Sequence, residues 1–252
     1  MYYSEADKTV LPFVFFVMIA AVAILAFVLR HRSERIRAIP TAIVAVSLIF
    51  IEIVKQRWNV LGEFDLFFLP FHYCSLFLVV IPLAELCGPR MSKIFRPIAT
   101  CMAFMVSVGM YICPCGMMGK ATEMFGTSFR ETHGFIFHHL VLLYFLLVVA
   151  MRLMKPRWTD VLNVGLVGAI YCAIALPLAY KLQTNYCNFL DSVIPIVEEL
   201  RLEYGQVKYT VCVVAVLTVG AMLFSFVCIG SYALVGGLFK LCFRRKSKHG
   251  LK

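Results

Sequence analysis

The chain is dominated by long apolar runs that are separated by short polar connections. Each run approaches the roughly 20 residues that a helix needs to cross about 30 Å of hydrocarbon. Backbone polar groups in lipid must be satisfied within the segment, so these runs predict helices rather than strands. The predicted fold class is an all-α polytopic membrane protein with seven transmembrane helices, approximately Leu11–Arg30, Pro40–Val54, Leu66–Leu86, Phe95–Cys113, Phe135–Met154, Val161–Leu182 and Tyr209–Phe239.

Composition agrees with this class. Hydrophobic residues make up 62% of the chain and charged residues only 15%, which is too apolar for a soluble domain of this length. We therefore predict one membrane domain over residues 1–252, with an outer tail at 1–10 and a basic cytoplasmic tail at 240–252. The first run is followed, not preceded, by basic residues, so we interpret it as an uncleaved anchor.

The distribution of lysine and arginine predicts the orientation. Acidic residues dominate the opposite connections, and cytoplasmic loops are enriched in basic residues. The N-terminus is thus predicted outside and the C-terminus in the cytoplasm of a cell membrane. The net charge of +10 needs no nucleic-acid partner and predicts contact between the cytoplasmic basic loops and anionic lipid heads. Sixteen of the 24 basic residues fall on one side: Arg30, Arg32, Arg35, Arg37, Arg90, Lys93, Arg96, Arg152, Lys155, Arg157, Lys240, Arg244, Arg245, Lys246, Lys248 and Lys252.

Polar residues collect in the predicted outer part of the second helix. Glu52 and Gln56 are one turn apart on the same face. Charge inside an apolar run is costly and usually faces a cavity, which makes Glu52 a candidate functional residue. The alternative is that Glu52 pairs with Lys55 or Arg57 near the lipid head groups.

The third run begins with the sequence Leu69-Pro-Phe-His-Tyr-Cys-Ser-Leu76. His72 and Ser75 share a face of a regular helix, whereas Cys74 lies about 200° around it from His72. Ser75 is then better placed than Cys74 beside the histidine, unless Pro70 distorts the helix. The alternative for His72 is a hydrogen bond between helices.

Further histidines and polar residues are predicted at the same depth. His133 begins the fifth helix, and His138 and His139 follow it. His138 lies about 140° from His133 and His139 about 120° the other way, so at most one shares its face. Such histidines act as general acids and bases, whereas adjacent histidines diverge and are weak evidence for a chelate, so we predict no metal and no cofactor. Asn185 and Tyr186 follow the sixth helix.

The outer connections leave two structural questions open. Cys113, Cys115 and Cys187 are all predicted outside, so one disulfide is possible among them. Residues 190–207 alternate apolar and acidic positions, which suits a short interfacial helix that covers the mouth of a cavity.

These features together resemble a known family. Pro70-Phe-His72-Tyr-Cys-Ser-Leu76, Glu52-x3-Gln56-x-Trp58, Thr132-His-Gly134, Asn163 and Asn185-Tyr-x-x-Phe-Leu190 are similar, in order, to the YwaF-type seven-span membrane proteins of bacteria. That family is similar in turn to a vertebrate multi-pass acyltransferase of ether lysophospholipids. The resemblance implies a cysteine that acts beside the histidine of the third helix. In the vertebrate pattern the cysteine directly precedes the histidine, where this chain has Phe71, so Cys74 would have to take its place.

The leading hypothesis is a membrane acyltransferase or lipid hydrolase that acts on a phospholipid or lysophospholipid in the outer leaflet. His72 would be the general base for Cys74, Ser75 or an acceptor hydroxyl, and His133 would protonate the leaving oxygen. Glu52 would orient an imidazole, Gln56 or Asn185 would donate to the oxyanion, and His138, His139 and Tyr186 would contact substrate. Two alternatives are a small-solute transporter or receptor that uses the same pocket, and an assembly subunit in which these groups only join helices.

Overall fold

The computed structural model describes residues 4–62 and 64–234, and this part of the chain is helical and contains no strand. Six of its helices are long and apolar enough to cross a membrane. The last of them, Gln206–Leu234, starts as α10 (Gln206–Ala215) and passes through a π-helical turn at Val216–Gly220. The other helices are α1 (Glu5–Leu29), α2 (Glu34–Arg37), α3 (Ile39–Leu61), α4 (Phe77–Glu85), α5 (Pro89–Ile112), α6 (Pro114–Met118), α7 (Phe129–Ala150), α8 (Thr159–Leu182) and α9 (Pro195–Tyr204).

The first helix begins earlier than the apolar run predicts. Ser4 caps it, because its hydroxyl accepts from the Asp7 amide at 3.0 Å while the Asp7 carboxylate accepts from the Ser4 amide at 2.9 Å. This reciprocal capping box satisfies two orphan donors of the first turn. The helix therefore starts at Glu5, six residues before the predicted apolar run. The predicted tail at 240–252, and the end of the predicted last helix, lie outside the described residues.

The predicted third helix, Leu66–Leu86, is not continuous. Its first half forms two 3-10 turns, Leu66–Phe68 and Tyr73–Leu76, and only Phe77–Glu85 is α-helical. Pro70 disfavours helical backbone at the residue before it, and Leu69 is extended with φ −63° and ψ 149°. His72 is extended as well, so the prediction of an uninterrupted helix here is wrong.

The helices have a consistent end-to-end arrangement. At one end, the basic end, Arg37 donates to the carbonyl of Met151 at 2.6 Å and Tyr232 to that of Met154 at 3.1 Å. This end gathers the starts of α3 and α5 and the end of α7. At the opposite end, the histidine end, Trp58 of α3 stacks on Phe129 of α7 with ring centroids 4.9 Å apart.

The middle of the bundle between these ends is apolar. Leu48, Phe77, Ile81, Met102 and Val106 are each at most 1% exposed. Closer to the basic end, one carboxylate joins four helices. Glu85 accepts from the Arg96 guanidinium twice at 2.9 Å, and from Thr41 at 2.7 Å and Tyr144 at 3.0 Å. The apolar core and this network hold the helices that carry the candidate site.

A close contact of backbones joins α8 to the last helix. A Cβ built on Gly168 would lie 2.6 Å from the carbonyl oxygen of Leu217, inside the π-helical turn. The contact thus requires glycine at 168 although its backbone is helical. Gly220, in the same turn, has 3.8 Å of clearance to the Val216 side chain.

We expect Gly168→Ala to lower the thermal unfolding midpoint of the purified protein by about 3–8 °C, because the backbones of two helices must separate. Gly220→Ala is the matched control and should leave the midpoint unchanged or slightly raised, since alanine favours helix. Both are measured by tryptophan fluorescence in detergent. Equal midpoints for the two variants would show that the contact is not constraining.

Candidate functional site

The candidate site lies at the histidine end and begins with a buried ion pair on α3. Glu52 accepts from the Lys55 ammonium at 2.8 Å, and both side chains are 11% exposed. The Gln56 amide donates to the same carboxylate oxygen at 2.7 Å and to the carbonyl of Phe68 at 2.8 Å. The alternative pairing of Glu52 with Lys55 is therefore present, but the pair is buried within the bundle rather than displayed at the surface.

The irregular segment after α3 places His72 beside this pair. The His72 Nε2 lies 3.0 Å from the carbonyl of Phe67, and the amide of Cys187 lies 3.5 Å from its Nδ1. A carbonyl only accepts and an amide only donates, so this arrangement selects the tautomer with hydrogen on Nε2. The imidazole also packs on the buried ring of Tyr186, with centroids 5.4 Å apart. Both ring nitrogens of His72 thus contact backbone groups, so His72 is better suited to position the segment than to act as a general base.

Cys74 and Ser75 have different surroundings from those predicted. Because His72 is extended, it does not share a helical face with Ser75, which instead donates its amide to the His72 carbonyl at 2.9 Å. No hydrogen bond from the Ser75 hydroxyl to the site is present in the described part of the chain. Cys74 lies within the electrostatic reach of both Lys55 and Glu52. Cys74 is therefore kept as a candidate nucleophile beside the ion pair, and as a buried thiol it needs a base to take its proton.

Helix α7 contributes two histidines to the site. His133 Nε2 is 3.6 Å from Glu52 Oε2, beyond hydrogen-bond distance, and it is buried without a hydrogen-bond partner among the described residues. His138 Nδ1 is 2.7 Å from the carbonyl of Gly134, so the hydrogen is on Nδ1 and the lone pair on Nε2. His133 and His138 both pack on the ring of Phe137, with centroid distances of 5.7 Å and 5.8 Å. We call Glu52, Lys55, His72, Cys74, His133 and His138 the histidine cluster.

His139 is separated from this cluster. Its ring packs on Phe135 with centroids 4.0 Å apart. Phe135 belongs to a second apolar core with Leu11 and Met110, next to α1. His138 and His139 thus diverge, as adjacent residues on a helix must, and His138 is the one that joins His133.

The connection after α8 supports the site but does not place Asn185 in it. The Asn185 amide donates to the Asp191 carboxylate at 2.6 Å, and its oxygen accepts from the Leu190 amide at 3.0 Å. These bonds shape the loop itself. Tyr186, in contrast, is fully buried and donates to the carbonyl of Leu66 at 2.6 Å. The short helix predicted within 190–207 is present as α9, Pro195–Tyr204.

Three contributors were missed or undervalued by the sequence reasoning. Lys55 was weighed only as a surface partner, although its position three residues after Glu52 is the spacing of a helical ion pair. Tyr171 of α8 donates to the carbonyl of Phe71 at 2.7 Å, and a tyrosine inside an apolar helix was the available signal. Cys187 was considered only for a disulfide.

The disulfide considered for the outer cysteines is not formed by Cys187. Cys187 is unbridged, and the side chain of Cys115 is outside the described part. Burial raises the pKa of Cys187 to about 12, so its thiol stays protonated at neutral pH. Cys187 supports the site through its backbone amide, which lies 3.5 Å from His72 Nδ1. In the described residues no three His, Cys, Asp or Glu side chains form a group that could hold a metal ion.

These features define the class of the protein. Six long apolar helices, an apolar middle and a buried group of ionisable side chains identify a multi-pass α-helical membrane protein with an internal polar site. The chain matches the TMEM164 family over residues 2–227, and it belongs to that family. Neither a curated protein nor a solved structure matches it.

We expect the Glu52–Lys55 pair to show strong coupling in a double-mutant cycle. Glu52→Gln and Lys55→Met should each destabilise the protein, because each leaves a buried charged partner without its counterion. The double variant should recover part of that loss, with a coupling free energy of about 1–3 kcal/mol.

The matched control is the exposed Lys8–Glu5 pair of α1, which has the same helical spacing and a similar distance of 2.7 Å. Its coupling should be below about 0.5 kcal/mol, because exposed pairs are screened. Unfolding free energies in detergent measure both cycles. Additive losses at Glu52 and Lys55 would show that the two charges do not depend on each other.

Proposed function

We propose that this protein is a membrane enzyme that moves an acyl chain from a phospholipid to a lysophospholipid hydroxyl or to water. The observation that carries the proposal is the histidine cluster itself. It combines a buried carboxylate–ammonium pair with two histidines whose nitrogens are differently engaged, and the Cys74 thiol lies near that pair. These are the groups that acyl transfer needs as nucleophile, acid, base and charge stabiliser.

Each side chain has a proposed role that follows from its contacts. The Cys74 thiol attacks the ester carbonyl while His138 Nε2, which carries a lone pair, takes the thiol proton. His133, with Glu52 3.6 Å away to stabilise its charged form, protonates the leaving oxygen as the ester C–O bond breaks. A hydroxyl or water then attacks the thioester and gives its proton to His133, and the C–S bond breaks as His138 returns its proton to the sulfur. His72 positions the segment, and Lys55 stabilises the oxyanion.

Gln56 and Asn185 are not assigned to the oxyanion. The amide of Gln56 is shared between Glu52 and Phe68, and that of Asn185 is used by Asp191. An oxyanion donor has to be free to meet the charge that develops. Lys55 carries three N–H groups, so it can hold Glu52 and still offer a hydrogen to the reacting carbonyl.

The surroundings of the cluster favour a lipid substrate. Phe50 and Ile53, on the opposite side of α3 from Glu52, are 64% and 61% exposed. Such side chains face acyl chains in a membrane, so the helix that carries Glu52 and Lys55 borders lipid. The middle of the bundle below the cluster is packed with apolar side chains that include Leu48, Phe77 and Met102. This arrangement supports an enzyme over a transporter.

We further propose that the chain crosses a cell membrane seven times, with the N-terminus outside. The starts of α3 and α5 both line a cavity at the basic end, whereas α3 ends at the histidine end. The segment between Leu61 and Pro89 must therefore travel from one end to the other. An antibody to an N-terminal epitope should bind intact cells. Binding only after permeabilisation would reverse the orientation.

We expect His138→Gln to reduce acyl transfer by about 10²–10⁴-fold, because the proton acceptor is removed. His139→Gln is the matched control, since the neighbouring imidazole packs in the second core, and it should retain activity within about threefold. The assay uses protein in nanodiscs with a chain-labelled phospholipid and an unlabelled lysophospholipid, and mass spectrometry follows the label. Equal losses for the two variants would contradict the assignment of His138.

We also expect Cys74→Ala to abolish both transfer and a trapped thioester, whereas Ser75→Ala retains them. Cys172→Ala controls for the loss of a buried cysteine elsewhere in the core. Hydroxylamine release of labelled acyl chain from the native protein measures the thioester. Full transfer by Cys74→Ala would remove the covalent step. No transfer or hydrolysis by the native protein across several lipid classes would overturn the proposed enzyme.

A further inference from the structure

A second polar site lies at the basic end of the bundle. A cavity of about 850 Å³ opens between the starts of α3 and α5, and residues from α2, the end of α4 and the connection after α7 complete its wall. Ile39, at this cavity, precedes Glu52 by 13 residues on α3, which corresponds to roughly 20 Å along the helix. The cavity is therefore distinct from the histidine cluster.

The floor of the cavity is polar but electrically balanced. Arg96 is 8% exposed, and its Nε and Nη2 each donate to a Glu85 oxygen at 2.9 Å. Tyr144 and Thr41 donate to the same carboxylate. Because the charges of Arg96 and Glu85 neutralise each other, the floor gives the cavity a fixed shape but does not attract a charged ligand.

The rim supplies an excess of positive charge. Six basic side chains line the cavity, and three of them form ion pairs, which leaves three unbalanced positive charges. Lys155 pairs with Glu34 at 3.3 Å and Arg157 with Asp160 at 3.1 Å. The remaining rim cations have no ion pair within the residues that the structure describes, and these are Arg35, Arg90 and Lys93.

The start of α5 adds to this attraction for an anion. Gly88 has φ +88° and turns the chain into Pro89, the first residue of the helix. No side chain caps this helix, so its N-terminal partial positive charge faces the same region as Arg90 and Lys93. Arg90 and Lys93 are three residues apart and thus share one side of the helix.

The cavity also has an apolar wall on its membrane side. Ile39 and Ile94 line it and are 52% and 39% exposed. Further along α3, Ile43 and Val46 are 60% and 55% exposed. A soluble phosphate ester would make no use of this apolar strip, whereas the acyl chains of a lipid would lie along it.

We propose that this cavity binds the phosphate-bearing head group of an anionic membrane lipid, with its chains along the exposed side of α3. Basic pockets between transmembrane helices are suited to such head groups. The site is independent of the proposed acyl transfer, because it shares no residue with the histidine cluster. It implies that the protein prefers anionic lipid at its basic end.

The test is native mass spectrometry of the full chain in detergent, titrated with dioleoyl phosphatidic acid or dioleoyl phosphatidylcholine. We expect one phosphatidic acid to bind at least about tenfold more tightly than phosphatidylcholine. The double variant Arg90→Gln/Lys93→Gln should weaken the binding of phosphatidic acid by about 10- to 30-fold. The matched control is Arg30→Gln/Arg32→Gln, which removes two exposed charges after α1 that do not line the cavity, and it should change binding less than threefold.

Three results would overturn the proposal. They are unchanged binding by Arg90→Gln/Lys93→Gln, an equal loss in the control, and competition by glycerol 3-phosphate at the affinity of the lipid, which would assign a soluble ligand. A photoreactive phosphatidic acid on the native chain needs no variant to fold. Label in residues 38–42 or 88–97 supports the site, and label confined to the histidine end excludes it.

Discussion

The constraint on which the structure depends is that backbone carbonyls among apolar helices must find donors. The segment between α3 and α4 leaves the helical conformation, so several of its carbonyls lose their helical partners. Side chains from elsewhere replace them. Tyr186 donates to the carbonyl of Leu66, His72 to that of Phe67, Gln56 to that of Phe68 and Tyr171 to that of Phe71. The polar residues around the candidate site thus first make an irregular backbone possible at this depth.

This view separates two kinds of polar residue at the histidine end. The side chains that donate to backbone carbonyls, including His72, use their N–H or O–H groups in these bonds and hold the irregular segment in place. Those on α7, His133 and His138, retain a nitrogen without a described hydrogen bond. The irregular segment also brings Cys74 toward Glu52 and Lys55. On a regular helix Cys74 would have pointed away from His72. The departure from helix is therefore what assembles the proposed chemistry.

Glu85 and Glu52 both form buried ion pairs, but they differ in whether a carboxylate oxygen is left free to interact with another group. Glu85 is held by a two-point contact with Arg96 and by two hydroxyls, so both its oxygens are occupied. Glu52 receives Lys55 and Gln56 on one oxygen, and its other oxygen faces His133. The first arrangement is structural, whereas the second leaves one oxygen available to respond to charge on an imidazole.

Much of the helical fold was predictable from the sequence, because the length of the apolar runs is a direct consequence of a lipid environment. The third run was the exception. Hydropathy reports how apolar a segment is and not its backbone conformation. The non-helical backbone that begins before Pro70 continues to His72. At the site, helical angles correctly separated His138 from His139. They could not relate His72 to Ser75 or Cys74, and they gave no view of Tyr171 on a distant helix.

The π-helical turn in the last helix has a consequence for the direction of its side chains. Tyr209 and Cys228 are both buried, yet they are 19 positions apart and would point about 100° away from each other on an uninterrupted α-helix. The turn at Val216–Gly220 takes up one extra residue. The effective separation becomes 18 positions, or about five whole turns. One inserted residue thus keeps the buried side chains at both ends of this long helix on the same face.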